Sequence, residues 1–151
     1  MGTMKCVIQR VKHASVTVQD RKIAGIDSGV LTLLGIEKGD TELELKKMIQ
    51  KIVELRIFED EHGKMNRSLI DVAGAHMIIS QFTLAADCTS GRRPSFTTAE
   101  VPEAARALYD KALQVSEGFG VRTCGGAFGA DMKVELLNDG PVTFILDSKL
   151  I

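Results

Sequence analysis

The segment Ala75–Phe96, AHMIISQFTLAADCTSGRRPSF, decides the fold. Its apolar run Met77–Ile79 is too short to form the stripe of an amphipathic helix. Gly74 precedes this run and a loop at Ala85–Ser90 follows it, so we expect a strand buried on both faces. The rest of the chain must therefore cover this strand from two sides.

Polar side chains follow this strand directly. Ser80, Gln81 and Thr83 bring hydroxyl and amide groups to the predicted strand end, where a rigid backbone can hold a site in place. The backbone N–H groups of Phe82 and Thr83 are candidates for stabilising negative charge in a transition state. The alternative is that Ser80–Thr83 only ends the strand as it reaches water.

A second unusual stretch is Asn138–Phe144, NDGPVTF, where Pro141 follows a glycine at the start of a strand pattern. On its own, Asn138–Gly140 favours a hairpin turn that Pro141 ends. Together, the motifs SQFTLAAD, RRPSF and NDGPVTF resemble those of the D-aminoacyl-tRNA deacylases, small homodimeric tRNA-editing hydrolases. VIQRV, ASVTV and RIFEDEHGKMN extend the likeness over essentially the whole chain, at Val7–Val11, Ala14–Val18 and Arg56–Asn66.

This resemblance implies roles for particular residues. In the family, the Gly-Pro pair, here Gly140-Pro141, is a cis peptide that reaches into the active site of the other subunit. Its carbonyl oxygens would hold the substrate's α-ammonium, and its backbone would collide with an L side chain. A D side chain would point away, so D-aminoacyl-tRNA and glycyl-tRNA(Ala) are the expected substrates. Ser80, Gln81, Phe82 and Thr83 would hold the ester and the adenosine.

The resemblance also implies a homodimer with active sites at the subunit interface, aminoacyl-tRNA as partner and a cytoplasmic location. Phe128 and Met132 are candidates for pocket walls, with core packing as the alternative. Arg10 shares a strand face with apolar neighbours, so its guanidinium needs partners. We assign it to brace the Gly-Pro loop.

Two other mechanisms stay open from the sequence. Thr83 or Cys88 could act as a covalent nucleophile, although neither has a recognisable base nearby in sequence. We therefore interpret Thr83 as a positioning or polarising group. A non-catalytic dimeric tRNA-binding module is the other alternative, and it would bind tRNA whatever is esterified to it.

Composition limits the partners. The chain has 151 residues, and we assign 1–151 to one domain, with Met1–Thr3 as an extension before a natural start at Met4. Nineteen basic and 20 acidic residues give a net charge of −1, which argues against DNA or general nucleic-acid binding. A tRNA ligand would need a local cluster, for which the candidates are Arg92 and Arg93, Lys12, Lys46, Lys47 and Lys51.

The cysteines Cys6, Cys88 and Cys124 and the three histidines lack metal-ligand spacing, and no phosphate-binding glycine motif is present. We expect no metal and no cofactor. The sequence also contains no apolar run of membrane-spanning length, so no membrane association is expected.

About seven strands and two helices are predicted. The first helix begins at Asp40–Thr41 with a capping box to Glu44, and the second begins near Pro102 and ends at Gly118. Each has one apolar face that should cover the sheet, formed by Leu45, Met48, Ile49, Ile52 and Val53 in the first and by Ala105, Leu108, Tyr109, Ala112 and Ser116 in the second. The fold class is α+β, with a curved, barrel-like, mostly antiparallel or mixed sheet covered by two helices. The predicted strands are Lys5–Val11, Ala14–Val18, Ile23–Ile26, Val30–Ile36, Arg56–Phe58, Met77–Ile79, Met132–Leu137 and Val142–Leu146.

Ester hydrolysis should therefore survive dialysis against a strong chelator, because the sequence offers no metal-ligand spacing. The rate of D-aminoacyl-tRNA hydrolysis before and after dialysis measures this. A large loss that one added metal restores would contradict the expectation.

Overall fold

The computed structural model describes residues 3–151, so Met1 and Gly2 of the expected extension lie outside the described residues. Thr3 is buried and its N–H donates to Glu37 Oε1 at 3.2 Å. The assignment of one domain stays a prediction. The elements are β1 (Lys5–Val18), β2 (Arg21–Ile26), β3 (Gly29–Gly35), α1 (Glu42–Glu54), β4 (Phe58–Glu59), β5 (Met65–Arg67), β6 (Ala75–Ser80), a 3-10 helix (Phe82–Ala85), α2 (Pro102–Gly118), β7 (Arg122–Gly125), β8 (Lys133–Asp147) and a 3-10 helix (Ser148–Leu150).

Six strands form one mixed sheet in the order β2-β1-β3-β6-β7, and β8 pairs with β1. β3, β6 and β7 run parallel, whereas β1 is antiparallel to β2, β3 and β8. The sheet curves into a nearly closed barrel with two helices packed on it, which confirms the predicted fold class. Met77, Ile78 and Ile79 are buried in β6, as expected for a strand covered on both faces.

The two predicted N-terminal strands are one strand. β1 runs without interruption from Lys5 to Val18, pairing first with β3 and then with β2 along one edge. The predicted strands were separated at Lys12–His13, but β8 pairs with β1 on both sides of Lys12 and keeps the strand continuous. The strand expected at Arg56–Phe58 is also displaced, since β4 covers only Phe58–Glu59.

The expected hairpin turn at Asn138–Gly140 is wrong. Both flanking segments belong to β8 and pair with β1 in the same direction, Lys133–Asn138 against Thr17–Val11 and Thr143–Asp147 against Gln9–Lys5. Residues 139–142 have no partner in this register, so the motif forms a bulge within one long strand.

Two further segments differ from the sequence-based prediction, one after β6 and one after α2. β6 ends at Ser80, and Phe82–Ala85 form a 3-10 helix rather than a strand end. α2 ends at Gly118 as predicted; its C-cap residue is Phe119, and the left-handed residue that follows is Gly120, with φ of 81°. The glycine-rich segment Gly118–Gly129, in which no strand was predicted, contains β7.

Both helices pack as predicted. Thr41 and Glu44 form the capping box of α1, and the expected apolar stripe is buried. The core on this face of the sheet lies beneath both helices. The buried residues are Leu45, Met48, Ile49, Ile52 and Val53 in α1 and Ala105, Tyr109, Ala112 and Ser116 in α2.

His76 lies fully buried in β6 at the centre of a hydrogen-bonded chain. Its Nε2 is 2.7 Å from Thr32 Oγ1, and its Nδ1 is 2.9 Å from Ser116 Oγ. Ser116 Oγ in turn lies 2.7 Å from Thr123 Oγ1. Burial lowers the pKa of His76 from 6.5 to about 3, so the imidazole is neutral in the folded protein.

Asp40, just before α1, is a buried titratable group whose hydrogen-bonding capacity, unlike that of His76, is not fully used. Its Oδ2 accepts from Glu37 N at 2.6 Å, but its buried Oδ1 has no hydrogen-bond partner within residues 3–151. Burial, with the nearby carboxylates of Glu44, Glu37 and Glu100, raises the pKa of Asp40 from 3.8 to about 6. The folded protein therefore favours the protonated form of Asp40 more than water does, and the carboxyl group takes up its proton near pH 6.

His76 and Asp40 should change the free energy of unfolding in opposite directions as the pH falls. Below pH 6.5, His76 binds a proton in the unfolded chain but stays neutral in the folded protein. Acid therefore lowers the free energy of unfolding through this residue. Below pH 6 folded Asp40 binds a proton that the unfolded chain releases, which raises it. Between pH 6.5 and about 5 the wild-type stability should change little. As the pH falls over this range, the free energy of unfolding should rise by about 1 kcal/mol in His76→Gln, where only Asp40 still titrates. It should fall by about 1.5 kcal/mol in Asp40→Asn, where only His76 still titrates.

Urea unfolding at the two pH values measures these changes. Parallel pH profiles for the wild type and both variants would contradict the assignment of His76 and Asp40.

Candidate active site

A pocket of about 640 Å³ opens at the carboxyl end of β6. Ser80, Gln81 and Phe82 line it together with Phe128 and Met132, so the structure brings together five of the predicted site residues. Much of the remaining lining is apolar. It comes from Ile36, Ile79, Phe96, Ala99, Val101, Pro102, Ala105, Ala130 and Val134.

The backbone turns sharply where the pocket begins. Gln81 N–H donates to Leu34 O at 2.8 Å as the last bond between β6 and its neighbour. The chain then enters the 3-10 helix, which packs so closely on β3 that a Cβ at Gly35 would lie 2.7 Å from Leu84 Cβ. In the described part of the chain, no acceptor binds the N–H groups of Phe82 and Thr83. Both residues are exposed; Phe82 lines the pocket, whereas Thr83 does not, and unbonded N–H donors of this kind suit the stabilisation of an oxyanion.

Thr83 is held by its neighbour. Gln81 Nε2 donates to Thr83 Oγ1 at 2.6 Å, which leaves the threonine O–H free to donate elsewhere. No histidine or carboxylate among residues 3–151 hydrogen-bonds to this hydroxyl, so it lacks the base that a nucleophile requires. Cys88 lies exposed in the following loop and does not line the pocket.

The pocket mouth is aromatic. The Phe82 and Phe96 rings have centroids 5.2 Å apart at a tilt of 59°, and Phe82 is 58% exposed. Exposed aromatic rings beside an apolar cavity suit a planar group such as a nucleobase. Lys38, Glu100 and Asp131 add charge to the lining.

The Gly140-Pro141 pair lies elsewhere in the same chain. Its peptide bond is cis, and both residues are exposed in the β8 bulge. Asn138 closes the bulge: its Nδ2 donates to Val142 O at 3.0 Å, and Val142 N–H donates to Asn138 Oδ1 at 2.8 Å. Gly140 has φ of 150°, and a Cβ there would lie 2.5 Å from Val142 Cγ2. Glycine is therefore required locally.

Arg10 connects this bulge to the β4 segment. Its Nε donates to Asp139 O at 3.0 Å, and its Nη1 donates to Ile57 O at 2.8 Å. Asp139 Oδ2 lies 3.5 Å from the Arg10 Nε, and Glu59 Oε1 lies 4.0 Å from its Nη2. The buried guanidinium thus has partners on both segments, which fixes the base of the bulge.

The two motifs lie at opposite ends of β6. Arg10 and Asp139 line a second pocket of about 560 Å³ with Gly74 and Ala75, at the amino end of that strand. Ser80 ends the strand, five residues away, and a strand rises about 3.3 Å per residue. Roughly 16 Å therefore separates the two regions within one chain.

Some contributors could not be identified from sequence. The Ile57 carbonyl that holds Arg10 and the pocket residues Lys38, Glu100 and Asp131 reach their places only through tertiary packing. A single β-bridge between Glu37 and Ala99 brings the neighbouring residues Lys38 and Glu100 to the same pocket. One sequence signal did exist: the glycines of the Gly118–Gly129 segment mark a place of close packing, because Gly125 and Gly126 lie against Tyr109.

Comparison with known proteins identifies the class as a tRNA deacylase. A family model described as D-Tyr-tRNA(Tyr) deacylase matches residues 7–147. The chain therefore belongs to the D-Tyr-tRNA(Tyr) deacylase family, which confirms the resemblance predicted from its motifs.

Relatives match over nearly their whole length. A D-aminoacyl-tRNA deacylase of Geobacter sulfurreducens is 52% identical over 146 residues, covering 97% of this chain and 96% of the relative. One from Pelobacter propionicus is 54% identical over 144 residues, covering 95% and 99%. The sequence motifs that suggested the family therefore lie within matches that span nearly the whole of both chains.

Two solved structures share the fold. The "c-Myc DNA Unwinding Element Binding Protein" has a TM-score of 0.88 and 42% identity, covering 94% of this chain and 97% of that chain. A structure described as "Structural Analysis of a probable eukaryotic D-amino acid tRNA deacylase" has a TM-score of 0.83 over 96% and 99%. At 18% identity the second match supports the fold alone.

Within residues 3–151, no helix combines the length and hydropathy needed to cross a bilayer. The same residues contain no group of three or more His, Cys, Asp or Glu side chains placed to hold a metal ion.

Replacing Arg10 by Met should lower the free energy of unfolding by about 2–4 kcal/mol, because the Asp139 and Ile57 carbonyls lose their donor. The matched control is Lys12→Met. Lys12 Nζ lies 3.7 Å from the same Asp139 carboxylate, but its side chain is 61% exposed. That change should cost less than about 1 kcal/mol. Urea unfolding measures the free energy of unfolding of both variants. Equal losses would contradict the role of Arg10 in fixing the base of the bulge.

Proposed function

We propose that this protein hydrolyses the ester that joins a D-amino acid to the terminal adenosine of tRNA. The observation that carries this proposal is the pocket at the end of β6, where Ser80, Gln81 and Phe82 face an apolar wall, in a chain of the deacylase family. The products are the free D-amino acid and tRNA. A tRNA substrate places the activity in the cytoplasm.

Ester activation is assigned mainly to the backbone. The free N–H groups of Phe82 and Thr83 would bind the carbonyl oxygen as it becomes negative in the transition state. Water is the nucleophile, helped by the ribose hydroxyl of the substrate. Thr83 would donate its hydroxyl proton to the substrate, because Gln81 already donates to its oxygen.

The adenosine would occupy the apolar part of the pocket. Phe82 and Phe96 offer aromatic faces at the mouth, and Phe128 and Met132 form the opposite wall. A base stacked on an aromatic side chain gains about 1–3 kcal/mol. This binding energy would place the ester beside the Phe82 and Thr83 donors.

Chirality would be read by the Gly140-Pro141 backbone of a second copy. Both residues are exposed and lack partners in the β8 register, so their carbonyl oxygens are available to an ammonium group. With the ammonium and ester fixed, an L side chain would strike this backbone and a D side chain would not. Glycine has no side chain to exclude, so glycyl-tRNA(Ala) is a second substrate of the proposed site.

A second copy is needed because of distance. The roughly 16 Å between the Gly140-Pro141 end and the Ser80 end of one chain is too far for both to touch one amino acid. A homodimer in which each bulge enters the partner's pocket would supply both groups. Arg10 would then brace a bulge that works in the other subunit.

Incubation with matched D- and L-aminoacyl-tRNA tests the proposal. Release of the D-amino acid should exceed release of the L-amino acid by about a thousandfold, which requires a difference of only about 4 kcal/mol. Equal rates would contradict chiral selection. Tight tRNA binding without hydrolysis would favour the non-catalytic module.

Thr83→Ala should reduce single-turnover hydrolysis by about 10- to 100-fold, less than the roughly 100- to 1,000-fold typical for loss of an oxyanion-hole donor, because the backbone N–H groups remain. Thr89→Ala, an exposed threonine bonded only to Asp87 in the next loop, is the matched control and should leave the rate unchanged. Rapid-quench kinetics measure both. A loss near a millionfold, or a transient acyl-enzyme mass, would show that Thr83 is a nucleophile.

A further inference from the structure

Tyr109 is a buried phenol that α2 places behind the pocket wall. Its hydroxyl donates to Ile78 O at 2.7 Å and accepts from Gly126 N–H at 3.0 Å. Its ring packs on Phe128, with centroids 5.9 Å apart. Burial raises the pKa of Tyr109 to about 12, so the hydroxyl keeps its proton at neutral pH. One side chain therefore joins β6 to the segment that forms the wall.

The hydroxyl lies where the sheet stops. β6 and β7 pair as parallel strands as far as Ile78 and Gly125. If the ladder continued, the N–H of Gly126 would bond directly to the Ile78 carbonyl. The tyrosine oxygen is inserted between those two groups. The chain consequently leaves β6 at Gly126 and turns towards the pocket.

The glycines at this point fit the insertion closely. A Cβ at Gly125 would collide with the Tyr109 hydroxyl, and a Cβ at Gly126 would lie 2.5 Å from Met132 Sδ. Both wall residues are thus in contact with this junction, Phe128 through the Tyr109 ring and Met132 through Gly126. A shift of Gly126 towards β6 would move the wall with it.

We propose that Tyr109 is a positioning residue for the deacylation, a step that rests on the proposed function. Its hydroxyl sets the separation between the end of β6, where Ser80 follows Ile78 by two residues, and the wall that carries Phe128 and Met132. The ester donors lie on one side of this gap and the adenosine wall on the other. The hydroxyl therefore controls how the adenosine is aligned with the groups that act on its ester.

The test compares Tyr109→Phe with Ser116→Ala. Phenylalanine keeps the ring against Phe128 and removes only the hydroxyl. Ser116 lies about two turns further along the same buried face, and its hydroxyl bonds to His76 and Thr123, away from the pocket. Each variant loses one buried hydroxyl of α2, so a purely structural effect should be similar in both.

Single-turnover hydrolysis of D-aminoacyl-tRNA should fall at least about tenfold in Tyr109→Phe, because small misplacements of a bound substrate slow its reaction strongly. Ser116→Ala should retain the wild-type rate, and uncharged tRNA should bind all three proteins alike. An unchanged rate in Tyr109→Phe overturns the proposal, and so does an equal loss in Ser116→Ala.

A second readout does not depend on activity. Tyr109 is the only tyrosine and the chain has no tryptophan, so tyrosine emission reports on this position alone. Binding of a non-hydrolysable 3′-amide analogue of D-aminoacyl-adenosine should change that emission saturably through Phe128. Calorimetric binding without any emission change overturns the coupling. If the wild type itself fails to hydrolyse D-aminoacyl-tRNA, the proposed function falls, whereas an active wild type with an unaffected Tyr109→Phe refutes only the role of Tyr109.

Discussion

The structure depends on the pairing of β1 with β8 and on the interruption of that pairing at residues 139–142. Eleven residue pairs join the two strands, yet residues 139–142 take no part. A proline has no N–H to donate to a ladder, so the backbone at Pro141 cannot pair in the usual way. The unpaired segment leaves the sheet as an exposed bulge. The surrounding ladder holds both of its ends, so the motif is presented on a rigid base.

The same strand carries the residue that fixes the bulge. Arg10 is buried in β1 and binds carbonyl groups of Asp139 and Ile57, so the guanidinium replaces hydrogen bonds that the interrupted ladder cannot make. A buried charge is tolerated only with such partners. At the other end of the sheet, the hydrogen bonds from Gln81 to Thr83 and from Tyr109 to Ile78 organise the pocket region. Each half of the proposed site is therefore built into one end of the sheet.

Sequence patterns predicted the elements better than their connections. The capping box and apolar stripe predicted α1 residue by residue, because short-range spacing determines which face is buried. The hairpin at Asn138–Gly140 was wrong, since a good turn sequence cannot reveal that β1 pairs with both flanking segments. Phe128 and Met132 lie in the pocket as expected, but the inserted hydroxyl of Tyr109 had no local signal. Contacts between distant segments decide such features.

The central claim is that one working site needs two chains. The most direct measurement uses mixed dimers of Gly140→Ala, which alters the bulge, and Phe82→Pro, which deletes a pocket N–H donor, each homodimer first being shown to fold. A mixed dimer pairs one intact pocket with one intact bulge, so it should hydrolyse D-aminoacyl-tRNA at about half the wild-type rate, although both parent homodimers are nearly inactive. Mixed dimers as inactive as the parents would show that the pocket and bulge act within one chain.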